Sequence, residues 1–365
     1  MSVIFQKSKV RITSLPVVRL YAHTPATCPD TSWGLNHKAG IRCHPVYFTQ
    51  FIAAINVFLR FTFNFRLLTY TTLLKIMSNI GLIIEERAAN IGNFMVGRLL
   101  PFRQKRAVGP FVFIDHMGPV HLKNYQNFDV PPHPHIGLST LTYLFEGAIM
   151  HRDSLGTEME IQPGAVNWMT AGKGVVHSER TPEYLRTSDK NLHGLQIWVA
   201  LPKAMEQTDP SFSHIAAHEL PHWEQDGVTL RLIAGEAFGR KSPVPVYSPL
   251  YLIEIKSTAP AQLNIGDELY GESALYILEG EIRNDGNTYS PRQILVAKDS
   301  KLCQFEMAPN TTVYIFGGEP FPEEHFIYWN FVSSDKALIE QAKQNWREQK
   351  FPEVPGETGF VPLPQ

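Results

Sequence analysis

Four residues of metal-ligating type sit in two tight pairs, His133-Pro134-His135 and His177-Ser178-Glu179. One residue separates the candidates within each pair. In an extended strand the side chains of i and i+2 emerge on the same face, so each pair can aim at one point. Two such strands facing each other inside a barrel would offer three imidazoles and one carboxylate to a single ion. That donor set suits one divalent transition metal with positions left over for substrate or oxygen. Fe(II) is the expected metal; Mn, Co, Ni and Cu accept the same ligands, and the affinity order alone does not choose among them. Two roles stay open for Glu179. It can be a simple ligand, held ionised by the cation, or it can take the proton of an acidic substrate hydroxyl.

The elements that must hold these pairs are strands. From Ile80 onward short apolar runs alternate with Gly, Pro and Asn turns: Val108 to Asp115, Leu138 to Phe145, Leu192 to Ala200, Val228 to Ile233 and Leu250 to Ile255. This spacing predicts an all-β fold of sandwiches or barrels. The tail alone reads as helical: Ala337, Leu338, Ala342 and Trp346 recur at helical intervals, Ser333 and Ser334 are available caps, and the run stops before Pro352. Tyr143-Leu144-Phe145-Glu146-Gly147 is echoed by Tyr276-Ile277-Leu278-Glu279-Gly280, which implies two barrels of similar size joined near Leu201 to Pro221. No histidine occurs between His222 and His325, so the second barrel has no counterpart of the ligand set.

Composition narrows the partners. A net charge of −2 without a Lys/Arg run argues against direct nucleic-acid binding. Cys28, Cys43 and Cys303 are too few and too scattered for a disulfide framework, which points to a reducing, cytoplasmic compartment; Cys303 has no base beside it and reads as a packed small residue. Residues 1–76 hold nine basic residues against the single Asp30. They lack the roughly 20 uninterrupted apolar residues of a spanning helix and show no strand or helix period. They are read as an N-terminal extension: a mis-assigned start upstream of Met77, a disordered or membrane-associating leader, or a real structural element. The rest of the chain is expected to need no membrane.

The segments around the ligand pairs carry a further signal. His133-Pro134-His135-Ile136-Gly137, the Tyr143 to Gly147 turn, Trp168-Met169-Thr170-Ala171-Gly172-Lys173-Gly174 and the closing His177-Ser178-Glu179 follow one another in this order. In that combination the region from Ile80 to Phe331 resembles the pirin family of the cupin superfamily. The resemblance implies a bicupin: a metal-binding cupin over 77–205, a second cupin without ligands over 206–333, and a C-terminal helix and tail over 334–365. It also implies a quercetin 2,3-dioxygenase-type oxidoreductase. The substrate would be a flavonol or similar aromatic enol, whose ring dioxygen opens with loss of carbon monoxide once the 3-hydroxyl is deprotonated, Glu179 being the candidate base. The alternative is a non-enzymatic metal- or redox-sensing protein that binds a protein partner as a transcriptional or metabolic co-regulator.

Other residues read more plainly. His151 lies outside the ligand pattern and is expected at the cavity or its rim. Asp115-His116 is expected in a polar network that closes the barrel. Trp168 and Met169 either floor the metal cavity or pack in the core.

Overall fold

The computed structural model describes residues 79–91, 94–298 and 304–364. The N-terminal extension, Met77 and all three cysteines lie outside them. Four of its sheets form two matched pairs. In the first pair a seven-stranded sheet runs in the order Ser211–Ile215, Val166–Thr170, Leu138–Glu146, Lys190–Ala200, Phe111–Leu122, Phe94–Leu100, Arg87–Ile91. Its companion is the four-stranded sheet Asp129–His135, Val175–Arg180, Ile149–Asp153, Glu158–Ile161. The second pair repeats this plan. Its larger sheet places Ile80–Glu85, Gln293–Ala297, Glu272–Glu279, Thr311–Gly318, Leu250–Ser257, Val228–Ala237 and His222–Gln225 in the corresponding order. Its smaller one is Ala261–Asn264, Gln304–Met307, Ile282–Asn284, Asn287–Tyr289. The described residues are mostly β, in two cupin domains, with one short α-helix near the C-terminus.

The sequence echo falls at equivalent places. Tyr143 lies on Leu138–Glu146 and Tyr276 on Glu272–Glu279, the third strand of each large sheet. Gly147 and Gly280 follow with φ of 87° and 80°, a conformation that favours glycine. Strand pairing crosses the expected 205/206 division twice. The first described strand, Ile80–Glu85, pairs with Gln293–Ala297 in the second cupin. Ser211–Ile215, inside the segment read as a connection, pairs with Val166–Thr170 in the first.

Burial follows position. Leu138–Glu146 is buried on both faces for most of its length, because one face lines its own barrel and the other meets the second cupin. Leu141, Tyr143, Val166 and Trp168 pack with Leu252, Tyr276, Tyr314 and Phe316 in one apolar core between the large sheets. Each such side chain contributes roughly 1.5–3 kcal/mol on full burial. Trp168 therefore belongs to the inter-domain core, and Met169 packs with Ala171 and Val175; neither floors the cavity.

The strand expected from Val108 begins at Phe111, Val108 making only an isolated bridge to it. The helix is Lys336–Arg347, and its cap is Asp335, whose carboxylate accepts from Ala337 N at 2.8 Å. Ser333, expected as a cap, instead accepts from Asp335 N and donates to Glu206. Ile339, Ala342 and Trp346 form the buried stripe. They pack on Ile136, Val176 and Phe331, against the strands that carry the histidines.

Candidate metal centre

The two ligand pairs lie on adjacent strands. Asp129–His135 and Val175–Arg180 run antiparallel, with His133 directly opposite His177 and His135 opposite Val175. Between His177 and Glu179 the register slips by one residue, so that Glu179 faces Val130. The extra residue falls at Pro131-Pro132, which lack the N–H groups needed to continue a ladder. Gly137 ends the first strand at φ 67°, and a β-carbon there would sit 1.9 Å from the Val332 carbonyl oxygen. Only glycine lets the chain turn so close to the ligand strand.

The three imidazoles converge. His133, His135 and His177 are buried, and one ring nitrogen from each lies within 4.8 Å of the others. His135 Nε2 and His177 Nε2 are 3.1 Å apart. His133 donates Nδ1–H to the Pro131 carbonyl at 2.8 Å, which leaves its Nε2 lone pair free. Burial depresses all three: His133 falls to about 4, while His135 and His177 lie well below the ordinary imidazole value, with repulsion among the rings adding to the effect. They are therefore neutral near pH 7, which is the ligating form.

Behind His177 runs a chain of hydrogen bonds. Asp153 is fully buried; burial pushes its carboxyl up, but hydrogen bonds from His151 and Thr157 more than offset this and hold it low. His151 Nε2 donates to Asp153 Oδ2 at 3.2 Å, and Asp153 Oδ1 accepts from the Leu155 and Thr157 amides. With its proton on Nε2, His151 offers Nδ1 as an acceptor. His177 Nδ1, 3.3 Å away, is then the donor, and His177 Nε2 is left as a lone pair facing the cluster. His151 also stacks on Phe212 at 4.6 Å. It sits behind the ligands, not at the rim.

Glu179 stands apart from the tight group of three. It lines the same cavity as His133 and His135. Burial pushes its carboxyl up to about 7, and the Thr142 hydroxyl, 3.4 Å from Oε1, pulls the other way. Thr142 belongs to a polar row across the inner face of the large sheet. Arg98, Asp115, Gln196, Thr142, Asn167 and His214 are successive cross-strand partners, which places them on one face. His116, one residue out of phase with Asp115, faces the other way. It bonds Glu86, His193 and Tyr276 between the domains and has no part in the cavity.

The cavity has a volume of about 420 Å³. Phe113 and Trp198 form one wall, stacked at 3.9 Å with 14° between their planes, and Trp198 meets His135 edge-on at 5.2 Å. Trp329, Asn330, Val361, Pro362 and Pro364 complete it. The last three come from the C-terminal tail. Val361 N donates to the Pro132 carbonyl at 2.9 Å, and Trp346 Nε1 donates to the Val361 carbonyl. Half-buried Glu357 accepts from Arg180 and from the Ser178 hydroxyl. The tail's role left no mark in the sequence beyond its prolines. Trp198 did leave one, since it shares a strand phase with Gln196.

In the second cupin the equivalent strand pair presents Leu263, Phe305 and Met307, all buried in that domain's own core. Among the described residues the three-histidine group is the only cluster able to hold a metal in this way. Three neutral, converging imidazoles with a carboxylate beside them fit a first-row divalent ion. Among the described residues no helix is long and apolar enough to cross a membrane.

Comparison with known proteins agrees with this architecture. The profile of the Pirin family matches residues 93–199, and that of the Pirin C-terminal cupin domain matches 252–352. A pirin-like protein of Caulobacter vibrioides is 48% identical over 298 residues, covering 78% of this chain and 100% of the relative. A Pseudomonas aeruginosa protein named as a candidate quercetin 2,3-dioxygenase is 37% identical, covering 73% and 83%. The crystal structure of a quercetin 2,3-dioxygenase from Acinetobacter baumannii superposes with a TM-score of 0.72 at 34% identity, covering 78% of this chain and 95% of its own.

Proposed function

Since this chain belongs to the pirin family, we propose that its first cupin holds one divalent transition metal, Fe(II), through His133, His135 and His177. Glu179 completes the site, which opens a flavonol-like aromatic enol with dioxygen. The observation that carries this reading is the convergence of three neutral imidazoles on a cavity walled by stacked Phe113 and Trp198. The relatives named for quercetin 2,3-dioxygenase activity support the same reaction class.

A bound divalent ion would supply Lewis acidity, lowering the pKa of an enol hydroxyl placed against it. The chain's own residues do the rest. The Pro131 carbonyl and His151 keep the Nδ1 protons of His133 and His177 turned away from the centre. Phe113 and Trp198 form an aromatic wall against which a planar ring system packs. Glu179 Oε1 or Oε2 accepts the enol proton, with the Thr142 hydroxyl 3.4 Å from Oε1. The tail residues Val361, Pro362 and Pro364 narrow the route for water.

The test is anaerobic reconstitution with each divalent metal in turn, then oxygen uptake with a panel of flavonols. Metal-dependent uptake with release of carbon monoxide is expected. Its absence with every metal and every flavonol would remove the enzymatic reading.

A further inference from the structure

We propose that the Arg98–Asp115 pair is the specificity determinant of this cavity. It reads a hydroxyl group on the ligand's aromatic ring remote from the chelating oxygens. The inference rests on the reading of the cavity as an aromatic-enol site and goes beyond it by naming the substituent that the site selects.

Among the described residues Arg98 is the only arginine or lysine lining the cavity, most of whose other walls are apolar or aromatic. Its Nε and Nη2 donate to the two oxygens of Asp115 at 2.9 and 2.8 Å, across directly paired strands. The fork is thereby fixed, and Nη1 makes no hydrogen bond among the described residues. Asp115 is 2% exposed, and each of its oxygens keeps a second lone pair after accepting from Arg98. The pair is neutral as a unit, so neither an anion nor a cation gains from it. A hydroxyl gains by donating to the second lone pair of an Asp115 oxygen, which a methoxy group cannot do.

The position of the pair fits that use. The guanidinium lies over Phe113 at 4.6 Å from the ring centre. Phe113 stacks on Trp198, and Trp198 meets His135. One continuous aromatic wall thus runs from the imidazole cluster to the guanidinium. A planar ligand chelating at the histidine end and lying along this wall presents its far edge to Arg98 and Asp115. A pair that served only to brace two strands would be indifferent to what that edge carries.

The test varies the ligand first and the protein second. Binding to metal-loaded protein under anaerobic conditions is followed by tryptophan quenching with 3-hydroxyflavone, its 4′-hydroxy and 7-hydroxy derivatives, and the matching methoxy compounds. One hydroxy derivative should bind on the order of 10- to 100-fold more tightly than the parent, as suits hydrogen bonds to charged groups. Its methoxy counterpart, which cannot donate, should lose most of that gain. Arg98→Met and Asp115→Asn should erase the advantage while leaving parent affinity within a few-fold. Equal affinities across the wild-type series would overturn the proposal whatever the variants do, so misfolding of a variant does not protect it. Failure of every 3-hydroxyflavone to bind would overturn the enzymatic reading as well.

Discussion

His151 Nδ1 lies 3.3 Å from His177 Nδ1, and the proton between them belongs to His177 because His151 spends its own on Asp153. A carboxylate with no exposed surface thereby fixes, through two rings, which nitrogen of His177 faces the other two imidazoles. Orienting partners of this kind are worth about 10- to 100-fold in metal affinity. His151→Phe should keep the fold and the stacking on Phe212 while weakening metal binding by roughly that factor. Competition with a chromophoric chelator measures it; unchanged affinity would reduce His151 to packing.

His135→Ala removes one of three converging donors and should leave the protein with little or no bound metal after dialysis. Elemental analysis decides: full occupancy in this variant would dismiss the three-histidine centre.

Glu179→Gln keeps the shape and one acceptor but loses charge and basicity. If the carboxylate takes the enol proton, metal content should stay near that of the wild type. Flavonol turnover should then fall about 10²- to 10⁴-fold. Normal turnover per bound metal would show that Glu179 moves no proton.

Acid should strip and destabilise the site. Four histidines titrate lower in the folded chain than their ordinary value near 6.5: His135, His177, and His133 and His193 at about 4. Between pH 6.5 and 4 the unfolded chain therefore binds more protons at these rings, and stability falls as pH falls through that window. Glu179, raised to about 7, acts in the opposite sense: the stability it lends is present at low pH and lost as pH rises through 7. Asp115 and His325, also raised, act in the same sense as Glu179, against four depressed histidines, His133, His135, His177 and His193. The melting temperature of metal-free protein should therefore drop from pH 7 to pH 5. A melting temperature that rises on acidification would contradict the burial of neutral imidazoles.

The C-terminal helix gives a packing test. Trp346→Ala removes a buried indole from the layer behind Ile136 and Val176, at a cost of about 3–5 kcal/mol. It also frees the Val361 carbonyl that positions the tail. Denaturant unfolding and flavonol affinity should both suffer. Loss of stability with unaltered affinity would detach the tail from the cavity.

Much of this was legible in the residues because strand geometry is local. The i, i+2 spacing of His133/His135 put both rings on one face, and the Tyr143/Tyr276 echo marked equivalent strands. What was not legible depended on pairing between distant segments. Nothing near Arg98 announces that Asp115 lies opposite, and nothing in Val361-Pro362-Leu363-Pro364 shows that it returns to Pro132. Ser333 and Ser334 had the right chemistry for a cap, yet Glu206 engages both, and the cap passed to Asp335. The Pro131-Pro132 bulge was visible as composition, but its effect, a slipped register that sets Glu179 apart from the three rings, appears only when the partner strand is known.

The exchange of edge strands has a thermodynamic reach beyond its geometry. Ile80–Glu85 precedes the first cupin in sequence but is hydrogen-bonded into the second, and Ser211–Ile215 completes the first. Neither half can melt without exposing an unpaired edge on the other, so the halves are built to unfold as one cooperative unit. An ion bound by three histidines in the first domain would then raise the melting temperature of both by mass action, lending its protection to a domain with no such cluster among its described residues.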